Sequence, residues 1–84
     1  MLRDDPDAGR FEMGKPGQVV FADYRRLGDS LYIDHVETPP SLRNRGAAAA
    51  LMAAIVERAR SEGLTIVPVC SYAAAWMARR GHRR

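Results

Sequence analysis

Two adjacent prolines, Pro39 and Pro40, divide this sequence into halves with different periodicities. Neither can donate to a β-ladder, and the residue before a proline is driven away from the helical region. Upstream, short apolar stretches are separated by glycine turns. Phe11 and Met13 alternate with polar neighbours and predict a short strand, and Gly14-Lys15-Pro16-Gly17 predicts a turn. Gln18 to Leu27, with Val19, Val20, Phe21, Ala22 and Tyr24, predicts a second strand. After the turn Gly28-Asp29-Ser30, a third is expected over Leu31–Thr38. Strands joined by such short turns form an antiparallel meander. Residues 1–9, polar and broken by Pro6 and Gly9, are expected as a loose arm.

Downstream the period changes. Leu51, Met52, Ile55 and Val56, with Ala48 and Ala59, fall on one face of a helix expected over Ala47–Glu62, with Gly63 placed to end it. Leu64 to Cys70 is a near-continuous apolar run that suits a strand covered on both faces. Ser71 to Arg80 predicts a second helix with Ser71 as its N-cap. The order β-β-β-α-β-α gives an α/β (α+β) class. A strand–helix–strand crossover of this kind is right-handed and creates a parallel pair inside a mixed sheet. The chain is expected to be one domain over residues 1–84, with 81–84 loose like the arm.

Composition removes several classes of function. One cysteine permits no disulfide framework. The histidines, His35 and His82, lie far apart, and no HExxH or paired CxxC occurs, so no metal is expected. No apolar run approaches the roughly 20 residues of a membrane span. The first residues are acidic and polar where a signal peptide is basic and then apolar, which points to the cytoplasm. The net charge is +3, and four arginines, Arg79, Arg80, Arg83 and Arg84, close the sequence. They read either as a solvated tail or as a phosphate anchor. A nucleic-acid-binding domain ranks low, because the aromatic residues are not interleaved with basic ones as a stacking platform requires.

The stretch with the most chemistry is Arg43-Asn44-Arg45-Gly46-Ala47-Ala48, leading into the first helix. A helix N-terminus offers unpaired N–H groups and a positive dipole end. Gly46 and the alanines leave the backbone open to a ligand, and Arg43 and Arg45 add charge. The stretch is a cradle for phosphate or pyrophosphate, or an ordinary basic loop that caps a helix.

These residues resemble a known signature. The pattern [Gln/Arg]-x-x-Gly-x-[Gly/Ala] before a helix marks coenzyme A binding in the GNAT superfamily of N-acetyltransferases, and Arg43, Gly46 and Ala48 occupy its defined positions. With the strand His35-Val36-Glu37-Thr38-Pro39-Pro40, the run Pro68-Val69-Cys70 and the helix bearing Tyr72 and Trp76, the chain resembles the short, single-domain GNAT-like branch over about residues 10–80. The resemblance implies acetyl-CoA as co-substrate and an amine acceptor. It implies that amides of Asn44, Arg45, Gly46, Ala47 and Ala48 bind the pyrophosphate. The pantetheine would lie beside Val36, Glu37 and Thr38, where that strand splays from Leu64–Cys70, and Pro68, which lacks a ladder N–H, suits such a splay. Longer members carry further elements that build the acceptor site, and these have no counterpart here. A non-catalytic coenzyme A-binding module is therefore the alternative, and either a monomer or a homodimer is compatible.

Four residues are candidate catalysts. Cys70 ends the second parallel strand, where the thioester is expected, and is a nucleophile or acyl-contacting residue, or a small buried hydrophobe. His35 and Glu37 stand two apart, on one strand face, with the parity of Leu31 and Ile33, which predicts either a buried pair able to act as general base or hold a water, or satisfied polar residues near the strand end with one turned outward by a bulge. The resemblance implies that Tyr72, two residues after Cys70, returns a proton to the departing thiolate, as a tyrosine does in many members of the superfamily. Trp76, one turn later, is expected to pack in the core or against the pantetheine.

Overall fold

The computed structural model describes residues 1–80 of the 84. The elements are β1 (Arg3–Asp5), β2 (Arg10–Lys15), β3 (Gln18–Leu27), β4 (Ser30–Glu37), α1 (Ala47–Ser61), β5 (Thr65–Pro68) and α2 (Ser71–Arg79), with a 3₁₀ turn over Pro40–Leu42. They form a mixed sheet in the order β1-β2-β3-β4-β5, antiparallel except for β4 against β5. The expected α+β architecture is present.

The first departure is β1. The arm expected over residues 1–9 contributes a strand, with Arg3 opposite Glu12 and Asp5 opposite Arg10. Its apolar content is too low to announce it; side-chain bonds hold it instead. Arg3 Nη1 donates to the Gly14 carbonyl at 3.0 Å, and the Tyr24 hydroxyl donates to Asp4 Oδ1 at 2.6 Å. Both predicted turns also shrink to two residues, since Lys15 pairs with Gln18 and Leu27 with Ser30. Gly14 stays inside β2 because its backbone approaches the Gln18 carbonyl so closely that a Cβ would overlap it.

One face of the sheet carries the core. Phe11, Val20, Ala22, Leu31, Ile33 and Ile66 meet Leu51, Met52, Ile55 and Ala59 of α1 and Ala73, Trp76 and Met77 of α2 in one buried cluster. Both helices therefore pack on the same face. Burying a large apolar side chain contributes about 1.5–3 kcal/mol, so this cluster dominates the stability of the fold. Helix α1 ends as the sequence predicts. Leu64 N–H donates to the Ala59 carbonyl at 2.8 Å and Gly63 N–H to the Arg60 carbonyl at 3.3 Å, the bond pair of a Schellman motif.

The expectation of a last strand covered on both faces does not hold. β5 is a border strand of four residues, and Val69 is 53 % exposed. The apolar run reflects one buried residue, Ile66, preceded by the exposed Thr65 and followed by the partly covered Val67 and Pro68. The predicted N-cap also moves by one residue: Cys70 caps α2, its Sγ accepting the Ala73 N–H at 3.3 Å, and Ser71 is the first helical residue. Trp76 lies in the core, with the Arg80 guanidinium 4.7 Å over its ring. The rest of the predicted arginine anchor, Arg83 and Arg84, and His82 lie outside the described residues. Among the described residues no helix is long and apolar enough to cross a membrane, and no cluster of His, Cys, Asp and Glu is arranged to hold a metal.

Candidate functional site

The loop before α1 adopts backbone angles that few residues tolerate. Asn44 has φ +63° and Gly46 has φ +78°, both left-handed. Asparagine enters this region more readily than most residues, and glycine does so freely. Gly46 is the N-cap, and no side chain caps the helix. The first N–H groups of α1 are thus presented outward without an intrahelical acceptor. The Arg45 N–H is given to the Leu42 carbonyl at 3.3 Å, which removes it from the set of amides expected to face a ligand.

These groups line a cleft of about 390 Å³ bounded by Thr38, Leu42, Arg43, Asn44, Gly46, Ala47, Ala48, Ala49 and Tyr72. The end of β4, the N-terminus of α1 and the first turn of α2 meet there. The sequence had singled out seven of these residues; Leu42 and Ala49 it had not. Leu42 belongs to the 3₁₀ turn set by Pro40, and Ala49 follows from a helix whose first turn carries only small side chains. A Cβ at Gly46 would meet nothing within 4 Å. The loop therefore leaves room for a bulky anion against its backbone, as pyrophosphate binding at a helix N-terminus requires.

Beside the cleft, β4 and β5 part. The parallel register ends at Ile33 opposite Pro68. The Val69 and Cys70 N–H groups both donate to the Ile33 carbonyl, at 3.0 and 3.1 Å, and the chain then turns into α2. From Asp34 onward β4 continues without a parallel partner.

The structure corrects the facing of His35 and Glu37. The β3–β4 pairing passes from Asp23–His35 directly to Tyr24–Ile33, so Asp34 is an extra residue in β4. A bulge reverses the alternation of side chains. Val36 therefore packs against the core, and His35 and Glu37 turn to the face that bears no helix. They are not buried: their side chains are 54 % and 47 % exposed. Arg25 holds the bulge, its Nε and Nη2 donating to the two Asp34 carboxylate oxygens at 2.7 and 2.9 Å. That fork keeps the Asp34 carboxyl below its ordinary pKa.

On this outer face His35 Nε2 meets Glu37 Oε1 at 2.8 Å. A carboxylate accepts only, so Nε2 is the donor, and in the neutral imidazole Nδ1 holds the lone pair. Cys70 packs on the other side, partly against the core. His35, Val36, Glu37 and Cys70 do not line the cleft; Tyr72 does. The predicted site thus resolves into two places, a cleft on the helix side and an imidazole–carboxylate pair on the open side, with the β4–β5 split between them.

Residues 10–83 match the family model described as GCN5-related N-acetyl-transferase. No curated protein matches the chain. Among solved structures, the chain is similar to the NMR structure of a GCN5-like candidate N-acetyltransferase from Staphylococcus aureus, with TM-score 0.74 and 24 % identity over 95 % of this chain and 79 % of that one. It is also similar to the crystal structure of a Trypanosoma brucei acetyltransferase, with TM-score 0.61 and 18 % identity over 94 % of this chain and 66 % of that one. At these identities the two likenesses speak to the fold.

Proposed function

Because the chain belongs to the GCN5-related N-acetyltransferase family, we propose that it is a small acetyl-CoA-dependent N-acetyltransferase, a single acetyl-CoA-binding domain working in the cytoplasm as a monomer or homodimer. The observation that carries this reading is the cleft at the N-terminus of α1. Its outward N–H groups at Gly46, Ala47 and Ala48 suit the pyrophosphate, with Arg43 and Arg45 supplying charge from the same loop. The part of β4 without a parallel partner, ending at Val36, Glu37 and Thr38, offers free backbone to the amide-bearing pantetheine arm.

Acetyl-CoA, when bound, supplies an activated thioester. His35 Nδ1 takes a proton from the acceptor amine as its nitrogen bonds to the acetyl carbon, and Glu37 holds the imidazole in the required tautomer. The carbon–sulfur bond breaks, and the Tyr72 hydroxyl returns a proton to the departing thiolate. Cys70 is the less favoured catalyst, because its Sγ is occupied as the α2 cap.

A second reading, a coenzyme A-binding module without turnover, is favoured by one observation: His35 and Glu37 are exposed and outside the cleft lining. Calorimetric titration of coenzyme A and acetyl-CoA into wild type and Arg43→Glu/Arg45→Glu, followed by turnover against an amine panel, separates the cases. Binding that the double variant loses, with acetylated amine as product, is the expected result. Binding without product would leave the module. No binding to wild type would overturn both and bring nucleic acid forward.

A further inference from the structure

We propose that Phe21, clamped by Arg10, is a positioning residue for the His35–Glu37 pair; the assignment rests on the transferase reading above. Two side chains on an open sheet face, each about half exposed, have solvent on most sides and little reason to keep one rotamer. The registers show what restrains them. Phe21 stands opposite Glu37, and Asp23 stands opposite His35, so the imidazole is diagonal to the Phe21 ring. The two rings are 6.3 Å apart between centroids and tilted by 57°. That separation lies in the range where tilted aromatic pairs attract.

Phe21 is itself held from the other side. The Arg10 guanidinium lies 3.8 Å from its ring centroid, and Arg10 Nε donates to Asp23 Oδ1 at 2.8 Å. The contacts run in series across three strands: Asp23 fixes Arg10, Arg10 covers Phe21, Phe21 limits the swing of His35, and His35 meets Glu37. Phe21 takes no part in the buried core cluster, so packing of the fold does not account for an aromatic residue here. Its effect is on direction. With Nε2 held on Glu37 by a ring that cannot rotate away, Nδ1 keeps one orientation on the open face.

The test uses His82→Gln as background, so that His35 is the only histidine in the spectrum. Imidazole ¹⁵N shifts are recorded for that protein and for Phe21→Ala, Phe21→Tyr and Arg10→Met added to it. The background protein is expected to show one tautomer with the proton on Nε2, Phe21→Ala a mixture, Phe21→Tyr the original pattern, and Arg10→Met a partial mixture. In turnover, Phe21→Ala is expected to lower kcat about tenfold, as misorientation of a catalytic group does, with KM for acetyl-CoA unchanged and Phe21→Tyr restoring the rate. Coenzyme A binding and thermal midpoint, measured alongside, show that the variants are folded. Identical imidazole spectra in Phe21→Ala and its parent, or an unchanged kcat, would overturn the proposal. The spectrum is read without turnover, so an inactive wild type overturns the transferase reading while the restraint on His35 is still decided.

Discussion

Cys70 gives its N–H to the carbonyl of Ile33 at 3.1 Å, and beyond that bond the two parallel strands no longer touch as a ladder. One carbonyl closing the ladder twice makes the parting abrupt. The same residue that ends the strand pair begins the next helix, because its Sγ accepts the Ala73 N–H.

This double role makes serine the informative replacement. Cys70→Ser keeps a side-chain acceptor at the N-cap and should leave the thermal midpoint unchanged or raised. Cys70→Ala removes the acceptor and should cost about 1 kcal/mol in a urea melt. Direct transfer through His35 predicts that Cys70→Ser retains most of the rate. Loss of turnover with a trapped acetyl adduct on wild-type Cys70 would instead establish a covalent route.

The bulge at Asp34 predicts two different outcomes from two changes at one position. Deleting Asp34 removes the bulge and the ion pair with Arg25, yet keeps the facing, because alternation then runs Ile33 inward, His35 outward, Val36 inward and Glu37 outward. The expected result is a cooperative transition at a clearly lower midpoint, from the lost ion pair and the straightened strand. Asp34→Asn keeps the extra residue and loses only the charge of an exposed ion pair, so circular dichroism should report an intact fold with a slightly lower midpoint. The sign with pH follows from the pair. The Asp34 carboxyl titrates lower in the fold than its ordinary 3.8, so its contribution is present above that value and fades as the pH falls through the folded value. Arg25→Met should flatten that acid limb.

Tyr24 sets the opposite limit. Burial, then the bond to Asp4 and its charge, push its hydroxyl up from 10.0 to about 12. The neutral form is favoured in the fold, so this contribution is complete below pH 10 and is lost as pH rises from there toward about 12. Ultraviolet titration should show one tyrosine ionising late, and Asp4→Asn should bring it down. A late tyrosine that persists in Asp4→Asn would assign the shift to burial alone.

Glycine replacements separate backbone strain from contact. Gly46→Ala adds a Cβ into open space but requires a left-handed residue, at a cost of about 1–2 kcal/mol. Gly14→Ala must also move the Gln18 carbonyl and should be the more destabilising of the two. Guanidinium melts of both variants give the order. Coenzyme A affinity should fall in Gly46→Ala and not in Gly14→Ala.

Much of this architecture was legible in the sequence because it rests on local signals. The period of Leu51, Met52, Ile55 and Ala59, the turns at Pro16-Gly17 and Gly28-Asp29, and the small residues from Gly46 onward each act within a few positions. What was not legible depends on pairing between distant segments. Asp34 looks like any strand residue until β3 offers one partner too few, and the two-residue parity that predicted a buried His35 then points the wrong way. Nothing near Arg3–Asp5 announces a strand, since the groups that hold it, Gly14 and Tyr24, come from β2 and β3. Phe21 reads only as a strand residue, and its contacts with Arg10 and His35 are invisible in the sequence, for the same reason.

The borders of the sheet have a consequence for how the protein behaves in a crowded solution. One border, β1, offers three residues, all charged, Arg3-Asp4-Asp5; the other, β5, offers four and ends in Pro68. A foreign chain seeking to extend the sheet would find too short a template on either side to nucleate stacking. The helix-free face can thus stay bare for chemistry without making the protein a seed for fibres.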